Sequence, residues 1–317
     1  MADTIVPPTI PTENTGDNPE NPENQSGGPK APAVIVKPSD TFVKKLKRIA
    51  TSTLLLIIAF IIVHTFMQLL MGGLANVLGY KVSVSFNHLR LQPRDYRHWS
   101  RARIALVFVL PPMFCLFLGF MSLNFLRVNT QWIKSNRLLV FWLMICLANI
   151  CLSHLFFSPL GITEHDDGDD IMIFYQTFAV FGSWMRFTST IMGAFAALAV
   201  IISVLFGVIS RDEILRYSPS SRASSKPWGK HFLVLQLYVI PVILSFYPLI
   251  QLSDKNNVIP SMFIWINLLI ISIGMFIRNS NDNKSLRPDK SDVLNHIPLI
   301  EMGVVFVLWI GIYFFFR

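Results

Sequence analysis

The sequence predicts an all-α polytopic membrane protein, with six to seven transmembrane helices and a short β element between the first two. Three observations carry that expectation. Of 317 residues, 52% are hydrophobic and only 15% charged, whereas a soluble domain carries about 25% charged residues to cover its surface. Mean hydropathy is +0.50. The charges are also clustered, and the uncharged stretches between them reach the roughly 20 apolar residues that cross a hydrocarbon core as a helix.

The net charge of +8 would suggest nucleic acid as a partner of a soluble protein. Here the basic residues flank apolar runs, where they set topology and meet anionic headgroups. The lipid bilayer is therefore the expected partner, and nucleic acid is not. Cys115, Cys146 and Cys151 all fall inside hydrophobic runs with no CxxC spacing. They predict neither a disulfide framework nor a thiolate metal site.

Residues 1–43 hold eight of the nineteen prolines among Asn, Glu, Thr and Gly. Such a segment buries too little apolar surface to offset its ordering entropy, so a disordered Pro-rich tail is expected. It lacks the basic-then-apolar order of a secretory signal. The basic run Lys44-Lys45-Leu46-Lys47-Arg48 then leads into Ile49–Tyr80, which contains no Asp, Glu, Lys or Arg. Further uncharged runs cover Ile104–Leu126, Leu138–Thr163, Phe187–Ser210, His231–Ser253 and Asn256–Ile277. Met302–Phe316 is shorter and decides between six and seven crossings. Ile171–Met185 is too short to cross alone and reads as an interfacial or re-entrant helix. Between the first two spans, Lys81–Leu91 alternates polar and apolar residues with the period of a strand.

Polar residues inside the first span call for a reason, because hydrocarbon offers them no hydrogen bonds. His64 and Gln68 in Ile61–Leu70 stand four apart, on one helical face. That is the spacing at which HExxH helices hold zinc between two imidazoles. With Leu78-Gly79-Tyr80-Lys81-Val82 after this helix, Ala105 to Pro112 opening the second span, and Ser158-Pro159 followed by Asp167-Gly168, the chain resembles the site-2 protease family of intramembrane zinc metalloproteases. The matching motifs of that family are HExxH, a GxKV strand, an Ala-Gly-Pro helix start and NxxPxxxxDG. The resemblance covers roughly residues 47–210 and implies a vestigial metal set of His64, Gln68 and Asp167. It divides the chain into the tail at 1–43, a protease-like membrane core at 44–210 and additional helices at 211–317.

The departures from the family pattern bear on chemistry. The HExxH position reads His64-Thr65-Phe66-Met67-Gln68. Thr65 replaces the general base and cannot take a proton from bound water near neutral pH. Gln68 replaces an imidazole with a neutral amide, a poor zinc ligand. Phe156, Phe157 and Ser158 stand where the Asn of the third motif would fall, and Pro111 stands in place of its Gly. No catalytic residue is assigned and no cofactor is expected, zinc being the metal the degenerate site could still hold.

Alternatives stand beside each of these residues. His64 with Gln68 also fits an interhelical hydrogen-bonding pair, and His154 fits a polar helix contact. Pro111-Pro112 fits a helix start or kink. The cluster Glu164, His165, Asp166, Asp167, Asp169 and Asp170 fits either a solvated acidic loop or a divalent-cation site. Three functional readings follow. The first is a non-catalytic relative of site-2 proteases that binds or scaffolds a transmembrane protein partner. The second is an active or altered metalloprotease, with Asp166 or Glu164 as substitute base. The third is a transporter-like protein with His64, Gln68 and His154 along a polar path. The positive-inside rule places the N-terminus in the cytoplasm, with only the Arg-rich 81–103 segment against it. The resemblance favours the reverse sidedness for the core.

Overall fold

The computed structural model describes residues 38–84, 89–92, 100–128, 134–157, 188–215, 227–252, 258–277 and 299–315. Helix α1 spans Pro38–Val77, 40 residues, or about 60 Å at 1.5 Å per residue. It opens on a proline, whose missing N–H costs nothing in a first turn. It closes on Gly79, at φ 87°. The Gly79 N–H bonds to the Asn76 carbonyl and the Tyr80 N–H to the Ala75 carbonyl, the paired bonds of a Schellman stop. A two-stranded antiparallel hairpin follows, β1 at Lys81–Val84 and β2 at Leu89–Gln92, with Lys81 opposite Gln92 and Val84 opposite Leu89. The predicted β element between the first two spans is thus a hairpin.

Helix α2, Arg101–Phe108, starts at Ser100, whose hydroxyl accepts the Arg103 N–H at 3.4 Å. The Arg103 guanidinium also donates to the Tyr80 hydroxyl at 3.2 Å, tying the helix start to the base of the hairpin. Helix α3 is Leu110–Val128. The sequence reads Pro111-Pro112 as a helix start or kink within the second span, and the structure interrupts that span at Val109. Pro111 and Pro112 have no N–H to give to the carbonyls of Val107 and Phe108, so the ladder breaks there. Helix α4 is Lys134–Phe157, α5 Thr188–Leu215, and α6 Pro227–Val234. A π turn over Leu235–Val239 joins α6 to α7, Ile240–Leu252. Helix α8 is Val258–Ile277 and α9 Leu299–Phe315. Among the described residues, each of the seven predicted long or short crossing runs is mostly helical. The Ile171–Met185 run falls outside the described residues.

The chain is an all-α polytopic integral membrane protein. Among the described residues, four helices are long and apolar enough to cross: Phe42–Val77, Leu106–Val128, Asn136–Ser153 and Gly229–Pro248. Ile264–Ile277 and Leu299–Leu308 are shorter apolar helices. Large apolar side chains cover the outside. Met113, Phe114, Phe117, Phe120, Met121 and Phe125 of α3 are all exposed. The inside holds Ser52, Gln68, Arg137, Asn149, Ser203, Arg211, Glu213 and Asn267. That inversion is what a hydrocarbon solvent imposes.

Side-chain contacts fix which helix ends lie together. Arg137 near the start of α4 meets Glu213 at 2.7 Å near the end of α5, and donates to the Leu126 carbonyl at 2.7 Å near the end of α3. Lys45 of α1 lies 5.0 Å over the Phe232 ring of α6, and His231 stacks on Phe276 at the end of α8. The starts of α1, α4 and α6 thus share one face with the ends of α3, α5 and α8. Residues Ser39–Arg317 form one compact unit, so the helices after residue 211 pack onto the earlier ones.

Small residues permit the closest approaches. Gly119 of α3 lies against Met144 and Ala148 of α4, with backbone atoms at 3.3 Å from where a methyl would stand. Gly207 of α5 and Gly274 of α8 are tighter: a methyl on Gly207 would overlap the Ile271 carbonyl, and one on Gly274 the Val204 carbonyl. A Gly207→Val variant should therefore melt well below the parent in detergent, with overpacking costs of about 1–3 kcal/mol. Gly303→Ala, where a methyl meets nothing within 4 Å, should leave the melting temperature within experimental scatter. Equal melting temperatures for the two variants would contradict the α5–α8 contact.

Candidate functional site

Helix α1 presents two unlike sides between Ala59 and Ala75. Ile62, Phe66 and Leu69 are exposed, whereas Ala59, Val63, Met67, Met71 and Ala75 are buried. His64 and Gln68 fall on the buried side, at 9% and 2% exposure. Thr65, between them in the sequence, is only half-buried. The two polar residues predicted to share a helical face do so, and that face is the inner one.

The surroundings of His64 are aromatic. Its ring stacks on Phe60 at 5.6 Å and 6°. Phe60 stacks in turn on Trp265 of α8 at 6.4 Å, and Phe246 of α7 meets Trp265 edge-on at 6.0 Å. The imidazole thus belongs to an apolar, aromatic layer built from α1, α7 and α8. The Gln68 side-chain oxygen is buried and has no hydrogen-bond partner among the described residues.

Asp167, the third residue of the predicted metal set, lies outside the described residues, as do Glu164, His165, Asp166, Asp169 and Asp170. His154 lies on α4. Among the described residues no group of three His, Cys, Asp or Glu side chains stands close enough to hold a metal ion. The cysteines are buried and free, and Cys151 Sγ lies 3.8 Å from Met113 Sδ.

Two further polar layers were not predicted. In the first, the Trp142 Nε1–H donates to Ser52 Oγ at 3.0 Å, and the Ser52 hydroxyl donates to the Leu237 carbonyl at 2.7 Å. Pro241, four residues on, has no N–H and so cannot give that carbonyl an α-helical bond. The π turn ends two residues before that proline. Trp142 stacks on Tyr238 at 5.1 Å, and the Tyr238 hydroxyl donates to the Leu268 carbonyl. Four helices meet in this layer.

In the second layer, Asn267 Nδ2 donates to Asn149 Oδ1 at 2.8 Å, and Asn149 Nδ2 donates to the Ile264 carbonyl at 3.2 Å. The Ser203 hydroxyl lies 2.8 Å from Asn267 Oδ1 and 2.7 Å from the Ala199 carbonyl. All three side chains are at 1% exposure or less. The signal in the sequence is an Asn within an otherwise apolar span, at 149 and again at 267. A search for charged residues passes over both.

No family model matches the chain, and no curated protein and no solved structure matches it.

Each layer is a chain of donors and acceptors, so its members should be coupled. Unfolding of the Asn149→Leu and Asn267→Leu variants and of the double variant forms a cycle. The expected coupling is about 0.6 kcal/mol and at most about 1.7 kcal/mol, the range for hydrogen bonds between membrane helices. Additive losses would show that the two amides do not act as a pair.

Proposed function

We propose that the chain is a non-catalytic, site-2-protease-like integral membrane protein that holds a membrane partner rather than cleaving it. The observation that supports this reading is the placement of the His64-Thr65-Phe66-Met67-Gln68 helix. His64 and Gln68 keep the inward face that a metal-binding helix would use, while Thr65 supplies no base. The aromatic layer of Phe60, Trp265 and Phe246 packs where a hydrolytic site would need water.

The segment after the helix fits the same reading. Gly79 ends α1 and the chain turns directly into the β1–β2 hairpin. Strands of a two-stranded sheet each keep one edge unpaired within the sheet, and such an edge takes up an extended segment of a partner by main-chain hydrogen bonding.

A rebuilt motif tests both the ancestry and the loss of chemistry. The Thr65→Glu/Gln68→His double variant restores HExxH on α1. Purified full-length parent protein should carry no stoichiometric zinc and cleave no reconstituted transmembrane substrate, whereas the double variant should acquire zinc. Zinc in the parent together with His64-dependent cleavage would overturn the non-catalytic reading. A double variant that folds but takes up no zinc would overturn the ancestry.

A further inference from the structure

Helix α1 begins well before its apolar part. Residues Phe42–Leu46 are helical and exposed all round, so this first stretch projects from the bundle. Its residues divide into two arcs at helical spacing. Lys44, Lys47 and Arg48, three and four apart, share one side. Phe42 and Leu46, four apart, share another with Val43, at 69%, 56% and 47% exposure. Lys45 stands between the arcs and reaches the Phe232 ring of α6 at 5.0 Å.

That contact sets a depth. After Arg48 the sequence carries no charge until Lys81, and after Lys230 none until Asp254. Helices α1 and α6 therefore pass from basic to uncharged sequence next to the residues that touch, Lys45 and Phe232. Two crossing helices fix one level at which cations stop and hydrocarbon begins, which is the level of lipid phosphates. Below it, Phe232 of α6 and Leu235, the first residue of the π turn, are 47% and 37% exposed, an apolar strip beneath the level of the cations. Glu213, near the end of α5, is engaged by Arg137.

We propose that the α1–α6 edge is a binding site for anionic phospholipid, with Lys44, Lys45 and Lys47 on the headgroup and Phe232 and Leu235 along the acyl chain. The site needs both halves: cations alone would take any phosphate, and the apolar strip alone would take any lipid. A cation close to an anionic membrane surface favours the acidic lipid by roughly fivefold, and three of them within one turn at the start of α1, at headgroup level, make the preference measurable in a mixed bilayer.

The test uses full-length protein reconstituted into phosphatidylcholine vesicles that carry a trace of spin-labelled phosphatidylserine or spin-labelled phosphatidylcholine. The motionally restricted fraction is read from the spectrum. The expected result is a restricted fraction several-fold larger for phosphatidylserine, reduced by added salt. The excess should vanish in the Lys44→Gln/Lys45→Gln/Lys47→Gln variant and persist in Lys81→Gln, whose lysine sits at the far end of α1. The triple variant changes side chains at the projecting start of α1, and an unchanged melting temperature confirms that it folds. No preference in the parent, or a preference that survives the triple substitution, would overturn the proposal. So would a preference that millimolar inorganic phosphate abolishes at constant ionic strength, since that outcome assigns the site to free phosphate.

Discussion

The Ser52 hydroxyl receives the indole N–H of Trp142 and gives its own proton to the Leu237 carbonyl. Three segments of chain far apart in sequence are joined at that one oxygen. Pro241, four residues on, has no N–H to offer the Leu237 carbonyl an α-helical bond, in a region where lipid supplies no donor. The same constraint recurs along the bundle. At one end Arg137 satisfies Glu213 and the last turn of α3 together. Deeper in, Asn149, Asn267 and Ser203 satisfy one another. Polar pairing orients the helices, and the aromatic and aliphatic side chains fill the space that remains.

This arrangement makes α1 an inner wall. Ser52 turns it toward α4 and the π turn, and Phe60 turns it toward Trp265 of α8. His64 and Gln68 lie one and two turns beyond Phe60 on the same side, so their inward orientation follows from contacts closer to the start of the helix. The later helices contribute directly to that interior through Leu237, Tyr238, Phe246 and Trp265. Any role of the His64 region, binding included, is exercised in a layer that the C-terminal part of the chain helps to build.

Much of this was legible in the sequence, and what was missed has a common cause. Uncharged runs located the helices, because ionised side chains are too costly in hydrocarbon to interrupt them. Period-two alternation located the hairpin, and the tandem prolines located the break at Val109. The pairing of polar groups was not legible. Asn149 and Asn267 are 118 residues apart, and Ser52 and Leu237 are 185 apart. Nothing local marks such partners, since an amide or hydroxyl is neutral and leaves a hydropathy profile almost flat. The tandem prolines could be read because they act on the ladder around them. The effect of Pro241 could not, because its consequence is a bond to another helix. For the candidate site, the shared face of His64 and Gln68 was legible from spacing, whereas the stacking of Phe60 and Trp265 against it was not.

The inward face of α1 is open to direct measurement by a spin-label scan from residue 59 to residue 71 in lipid bilayers, with molecular oxygen and a water-soluble nickel chelate as relaxants. Labels at Ile62, Phe66 and Leu69 should show high oxygen accessibility, and labels at Ala59, Val63, Met67 and Met71 should be immobilised and inaccessible to both relaxants. A label at His64 or Gln68 as accessible to oxygen as one at Leu69 would contradict the account, because it would place those side chains in lipid rather than inside the bundle.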